Sequence, residues 1–144
     1  MTYHAKTQQG IIVFLFAMVA LTSSINVYGY EKGNLFLRIA LPIFLLVAVF
    51  IKYKLTINED YLIYQIFIFK IPIYQKEFEP NQINQIKFIR IGWAKKGAII
   101  KPKKGFNTRV LRFEPDDVYT DLIGFANKNS IAVSKTKDYL ILEK

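Results

Sequence analysis

From Ile11 to Val27 the chain carries no charged residue, and from Leu35 to Ile51 it carries one, Arg38; only the seven polar-rich residues Tyr28 to Asn34 separate the two runs. At about 1.5 Å of rise per residue, roughly 20 residues cross about 30 Å of hydrocarbon. The two runs predict a transmembrane hairpin, with helices at 11–27 and 35–51. Arg38 lies near enough to one end to reach headgroups by snorkelling, and Pro42 is tolerable within a membrane helix as a kink. Thr22, Ser23, Ser24 and Asn26 either bond their own preceding carbonyls or link the two helices.

The period then changes from helical to two. Tyr53, Leu55 and Ile57 alternate with Lys54 and Thr56, the signature of a half-buried strand. Asn58-Glu59-Asp60 is turn chemistry, and Tyr61 to Phe69 is a second strand, rich in β-branched and aromatic residues. Ile73 to Phe78 forms a third strand, ended by Glu79-Pro80-Asn81. Ile86 to Ile91, Ala98 to Lys101 and Thr108 to Phe113 make three more, the first with a slip in alternation at Phe88-Ile89 that points to a bulge or to burial on both sides. Six consecutive strands predict an antiparallel meander.

Glu114-Pro115-Asp116-Asp117 starts a helix, with proline in the first turn and carboxylates at the positive end of the dipole. Val118, Leu122, Phe125 and Ala126 share one face of it, and Lys128-Asn129 closes it. Ile131 to Val133 and Tyr139 to Leu142 are strand-like. The fold class is α+β: a short tip at residues 1–10, a transmembrane helical hairpin at 11–51, and an antiparallel β domain with one C-terminal amphipathic helix at 52–144.

Charge refines the topology. Of a formal net charge of +9, most belongs to the β domain, with seventeen basic against ten acidic residues from Lys52 onward. Lys52 and Lys54 follow the second helix directly and Lys6 precedes the first, so the positive-inside rule places both termini and the β domain on the cytoplasmic side of the cell membrane. Tyr28, Tyr30 and Tyr53 fall where interfacial aromatics belong. With no cysteine and a single histidine, His4, the chain offers no disulfide, no His/Cys metal cluster and no histidine-based triad. Asp116, Asp117 and Asp121 are accounted for by the helix start. Gly92, Gly97 and Gly105 match no phosphate-binding loop. No cofactor is expected, and the chemistry points to a non-enzymatic protein.

One constellation stands out. Residues 87–112 hold Lys87, Arg90, Lys95, Lys96, Lys101, Lys103, Lys104, Arg109 and Arg112 with no acid among them, and Trp93 and Phe106 sit in the two lysine-bearing loops. If both loops project from one end of the sheet, they form a single basic, aromatic rim for anionic lipid headgroups or for a protein partner. The plainer alternative is a set of solvated loops whose sign follows the positive-inside rule. Nucleic acid is not expected, because no recognition helix or stacking motif accompanies the charge.

The order of elements, together with Tyr53-Lys54-Leu55-Thr56-Ile57, Tyr61-Leu62-Ile63-Tyr64, Ile71-Pro72-Ile73, Ile83 and Ile86, resembles the bacterial PH-like membrane proteins. Within that group it is most similar to the sublancin-immunity-like proteins of Gram-positive bacteria. The resemblance covers about residues 52–130 and implies a PH-like domain whose partner is lipid, protein or a bacteriocin, with a role in immunity to that bacteriocin. Its patterns are hydrophobic, so it carries over no functional residue. A second reading makes the chain an accessory or assembly subunit of a membrane complex, contacting its partners through the hairpin.

Overall fold

The computed structural model describes residues 1–5, 9–25 and 35–143. Lys6, Asn26, the interhelical loop expected at Tyr28 to Asn34, and the side chains of Thr22, Ser23, Ser24 and Arg38 lie outside that description. The elements run β1 (Thr2–Ala5), α1 (Gln9–Ile25), α2 (Leu35–Val49), β2 (Ile51–Ile57), β3 (Leu62–Ile68), β4 (Ile71–Phe78), β5 (Ile83–Ile91), β6 (Lys95–Pro102), β7 (Thr108–Leu111), β8 (Phe113–Glu114), α3 (Asp117–Lys128), β9 (Ala132–Lys135) and α4 (Lys137–Leu140). The fold class is α+β with mainly antiparallel sheets.

The six strands do not form one meander. β2, β3 and β4 pair in sequence, as do β5, β6 and β7, but a 3-10 turn at Pro80–Gln82 separates the triplets into two sheets. The first sheet has the order β4-β3-β2-β1-β8 and the second β7-β6-β5-β9. Arg112, at φ 60°, is the corner at which the chain leaves the second sheet and joins the first. Within β5 the register with β6 is regular from Gln85 to Ile91 and slips instead between Ile83 and Gln85, so no bulge stands at Phe88-Ile89. Phe88 is fully buried and Ile89 half-buried on the opposite face.

Residues 1–5 also differ from expectation. Where only a short tip was expected they include β1, whose residues pair with β2 (Tyr3 opposite Leu55) on one side and with β8 (Ala5 opposite Phe113) on the other. Tyr3 is buried, and its hydroxyl donates a hydrogen bond to Asp121 on α3. Burial and that carboxylate push the Tyr3 hydroxyl up to about 12. A four-residue strand is too short for its alternation to be read alone; the neighbours supply the reason it is ordered.

Both sheets and α3 close on one core. Leu55, Leu62 and Phe78 meet Ile86, Phe88, Ile100 and Val110, and α3 adds Val118, Leu122, Phe125 and Ala126, the face its spacing predicts. Asp116 occupies the N-cap without a side-chain capping bond, so Asp117 is the acid that meets the helix dipole. The expected strand at Tyr139 to Leu142 is helical. Thr136 Oγ1 accepts from the Tyr139 amide at 3.3 Å, capping α4, and the Tyr139 ring packs on Phe88 at 5.5 Å between centroids.

α1 and α2 pack on each other; α1 has the expected 17 residues but begins two positions earlier, and α2 has 15 where 17 were expected, or roughly 25 and 22 Å of helix. Among the described residues no helix is long and apolar enough to cross a membrane. α2 yields to β2 because Ile51 is taken into the ladder opposite Ile68. Since β1 leads into α1 and β2 leaves α2 as its antiparallel neighbour, the hairpin departs from and returns to one end of the first sheet.

Candidate functional site

The basic constellation does not form one rim. β6 runs from Lys95 opposite Ile91 to Pro102 opposite Ile83, so the loops at its two ends stand roughly 23 Å apart at about 3.3 Å per residue. Successive loops of an antiparallel sheet lie at opposite ends. Trp93 and Phe106, at 90% and 91% exposed, therefore mark two separate surfaces.

One of them adjoins the helical hairpin. Arg112 follows β7 and precedes Phe113, whose partner Ala5 is the last residue of β1 before the chain turns toward α1. Beside this corner a cleft of about 710 Å³ is lined by Lys95, Lys96, Arg112, Glu114, Asp116 and Tyr119, among others. Arg90, opposite Lys96 in the ladder, donates through Nη2 to the Trp93 carbonyl and so fixes the Gly92-Trp93-Ala94 turn, in which Gly92 takes φ 55°. Tyr119 forms the floor of the cleft. Burial pushes its hydroxyl up to about 12; the group lies beside the Arg112 and Phe113 backbone without completing a hydrogen bond. The cleft brings three cations, Lys95, Lys96 and Arg112, together with two carboxylates, Glu114 and Asp116.

The other surface is at the far end. The Lys103 amide donates to the Gln82 carbonyl at 2.8 Å, and Lys76 Nζ donates to the Phe106 carbonyl at 3.3 Å, fastening the loop that carries Lys104 to the end of β4. Lys87 and Arg109 belong to neither end. They flank Ile99 across the outer face of the second sheet, with Lys101 opposite Gln85 on that face. Of the eleven residues singled out from sequence, the structure thus gathers Arg90, Trp93, Lys95, Lys96 and Arg112 beside the hairpin and distributes the rest.

Sequence reasoning passed over a group at the same end. Phe69 and Lys70 form the two-residue turn between β3 and β4, both at positive φ, 59° and 130°, and the Phe69 ring stacks on Phe50 with 4.2 Å between centroids. The signal was the absence of the Gly or Asn that such a turn usually requires.

The described side chains of α1 and α2 expose Val13, Phe14, Leu15, Met18 and Leu21, and Ile39, Leu41, Ile43, Phe44 and Leu46. A groove of about 500 Å³ along α2 is lined by Ile39, Ala40, Ile43, Phe44 and Val47 alone. Among the described residues no group of three or more His, Cys, Asp or Glu is placed to hold a metal ion. The sequence matches no protein-family model and no curated protein.

Proposed function

We propose that the protein is a membrane-anchored, non-enzymatic module of PH-like type, with the helical hairpin embedded in the cell membrane and the β domain held at its cytoplasmic face. The observation that supports this is the pair of helices whose described, exposed side chains are apolar on all sides, tied at both ends to one sheet. Water is a poor solvent for such a surface. Helices of this length are accommodated by local thinning of the bilayer and by interfacial residues at their ends. The cleft of Lys95, Lys96 and Arg112, beside the point where the chain leaves for α1, then meets anionic headgroups, each cation contributing about 1 kcal/mol near such a surface.

Carbonate extraction and vesicle flotation of the full chain test the anchor: the protein is expected to stay with lipid, and its release into the wash overturns the proposal. Changing Lys95, Lys96 and Arg112 to Gln should lower the affinity of the β domain face for phosphatidylglycerol-containing surfaces by about 100-fold if each cation contributes about 1 kcal/mol. Immunity to a secreted bacteriocin, which the family resemblance implies, is tested by deleting the gene and challenging the cells; unchanged sensitivity removes that role.

The α2 groove favours a second reading, in which the hairpin seats a helix of another membrane protein and the chain is an accessory or assembly subunit. Replacing the hairpin by an unrelated one separates the two. Retained activity supports the headgroup-binding domain, and loss supports the hairpin as the contact.

A further inference from the structure

We infer that the tip of the β3–β4 hairpin, with Phe69 and Lys70 at its turn and Phe50, Ile71 and Ile73 around it, is a wedge seated in the headgroup–acyl boundary of the bilayer. The inference rests on the membrane reading above and adds a second, strand-borne point of insertion to the helices.

The inward row of the first sheet carries it. Leu55, Ile57, Leu62, Tyr64 and Phe78 of that row are buried in the core. Toward the helices the same row continues as Tyr53, Ile66 and Ile68, with Tyr74 and Ile71 on β4, and burial gives way to exposure until Ile71 is 68% exposed. Apart from Lys76, opposite Tyr64, the hydrophobic alternation thus runs on beyond the residues that the second sheet and α3 cover. An apolar strand face that outlasts its own core needs another cover. At its end Phe69 is 54% exposed and takes a left-handed backbone conformation that disfavours a bulky residue. It is held there by the stack on Phe50, the residue between α2 and β2, so the wedge is continuous with the hairpin.

The charges select lipid as the cover. Lys70 stands at the tip and Lys52 next to it at the hairpin end of β2, on the outer face of the sheet with Lys54 at mid-strand, while Glu59, Asp60, Glu77 and Glu79 gather at the opposite end of the same sheet, where Leu62 pairs with Phe78. This polarity suits an anionic leaflet on the hairpin side and water on the other. A second copy fits poorly. Its tip would bring the same lysines, Lys52 and Lys70, and the β4 edge is spoiled for strand addition by Pro72 and by the register slip that leaves Ile73 unpaired.

The test uses the full chain in vesicles of phosphatidylcholine and phosphatidylglycerol. The only tryptophan, Trp93, is replaced (Trp93→Phe), and a single reporter is placed at the tip (Phe69→Trp) or on α2 (Phe44→Trp). With bromines near the top of the acyl chains, the tip reporter is expected to lose about half its emission or more, as a residue about 5–10 Å into the interface should. Quenching at both positions supports the wedge. Quenching on α2 with none at the tip overturns the wedge and leaves the anchored hairpin standing. No quenching at either position overturns the membrane reading and the wedge with it. A photo-crosslinker at position 69 that yields chain dimers instead of lipid adducts also overturns the proposal, in favour of a second copy.

Discussion

Phenylalanine is used in opposite ways in the two parts of this molecule. In the β domain Phe78, Phe88 and Phe113 are at most 1% exposed, whereas Phe14 and Phe44 on the helices are 64% and 73% exposed. The residue type is the same; the cover that the fold supplies differs. The β domain makes its own apolar interior from two sheets and a helix. Among the described residues each helix packs chiefly on the other, and two helices in contact hide little of their circumference.

The sharpest way to break this comparison is to truncate an aromatic in each part. Phe88→Ala should destabilise the β domain by about 3–5 kcal/mol, through lost burial and the cavity left against Tyr139 and Ile86. Phe44→Ala should leave the denaturation midpoint of that domain unchanged. Equal losses in urea titrations followed by near-ultraviolet dichroism would mean that the helices share the domain's core.

Alkaline pH probes the interior without mutation. Tyr3, Tyr64, Tyr119 and Tyr139 are each pushed up to about 12, chiefly by burial. A raised tyrosine remains neutral in the fold while its unfolded counterpart ionises at the ordinary value of about 10. The unfolded chain then binds fewer protons, so this contribution to stability is complete below about pH 10 and is lost as pH rises toward about 12. Tyrosinate absorbance and loss of dichroism should therefore appear together in that window, and titration of these groups near pH 10 in an intact fold would contradict their burial.

Weaker effects sharpen the assignment of surfaces. Lys103→Gln with Lys104→Gln, at the far end, should change binding to anionic vesicles by much less than the same exchange at Lys95 and Lys96. An equal change would restore the single rim. Smallest of all, Glu59→Gln removes the exposed pair with Lys128, which holds the Glu59 carboxyl below its usual range. The thermal midpoint should not move measurably, because solvent and salt screen such pairs.

Much of the chain was legible before any coordinates. The β2–β3 hairpin followed from alternation about the Asn58-Glu59-Asp60 turn, and the buried face of α3 from the spacing of Val118, Leu122, Phe125 and Ala126. The failures have common causes. Tyr139 looked strand-like because apolar residues adjoin it, yet Thr136 caps a turn of helix and the ring is claimed by Phe88. β1 escaped notice because its order comes from Leu55, Phe113 and Asp121, residues 52 to more than a hundred positions away. The single basic rim failed on geometry, since a strand of eight residues separates its two loops.

The amino-acid sequence by itself determined the nearly uncharged helical pair, the strand-rich basic domain and the amphipathic helix that packs on it, because these depend on local periodicity and on how each residue partitions between water and apolar surroundings. Only the tertiary structure decided which strands share a sheet, that the first residues lock the hairpin's two ends together, and which cations stand beside the helices. Those outcomes depend on pairings between distant segments, and a pairing is a property of two stretches of chain that neither contains alone.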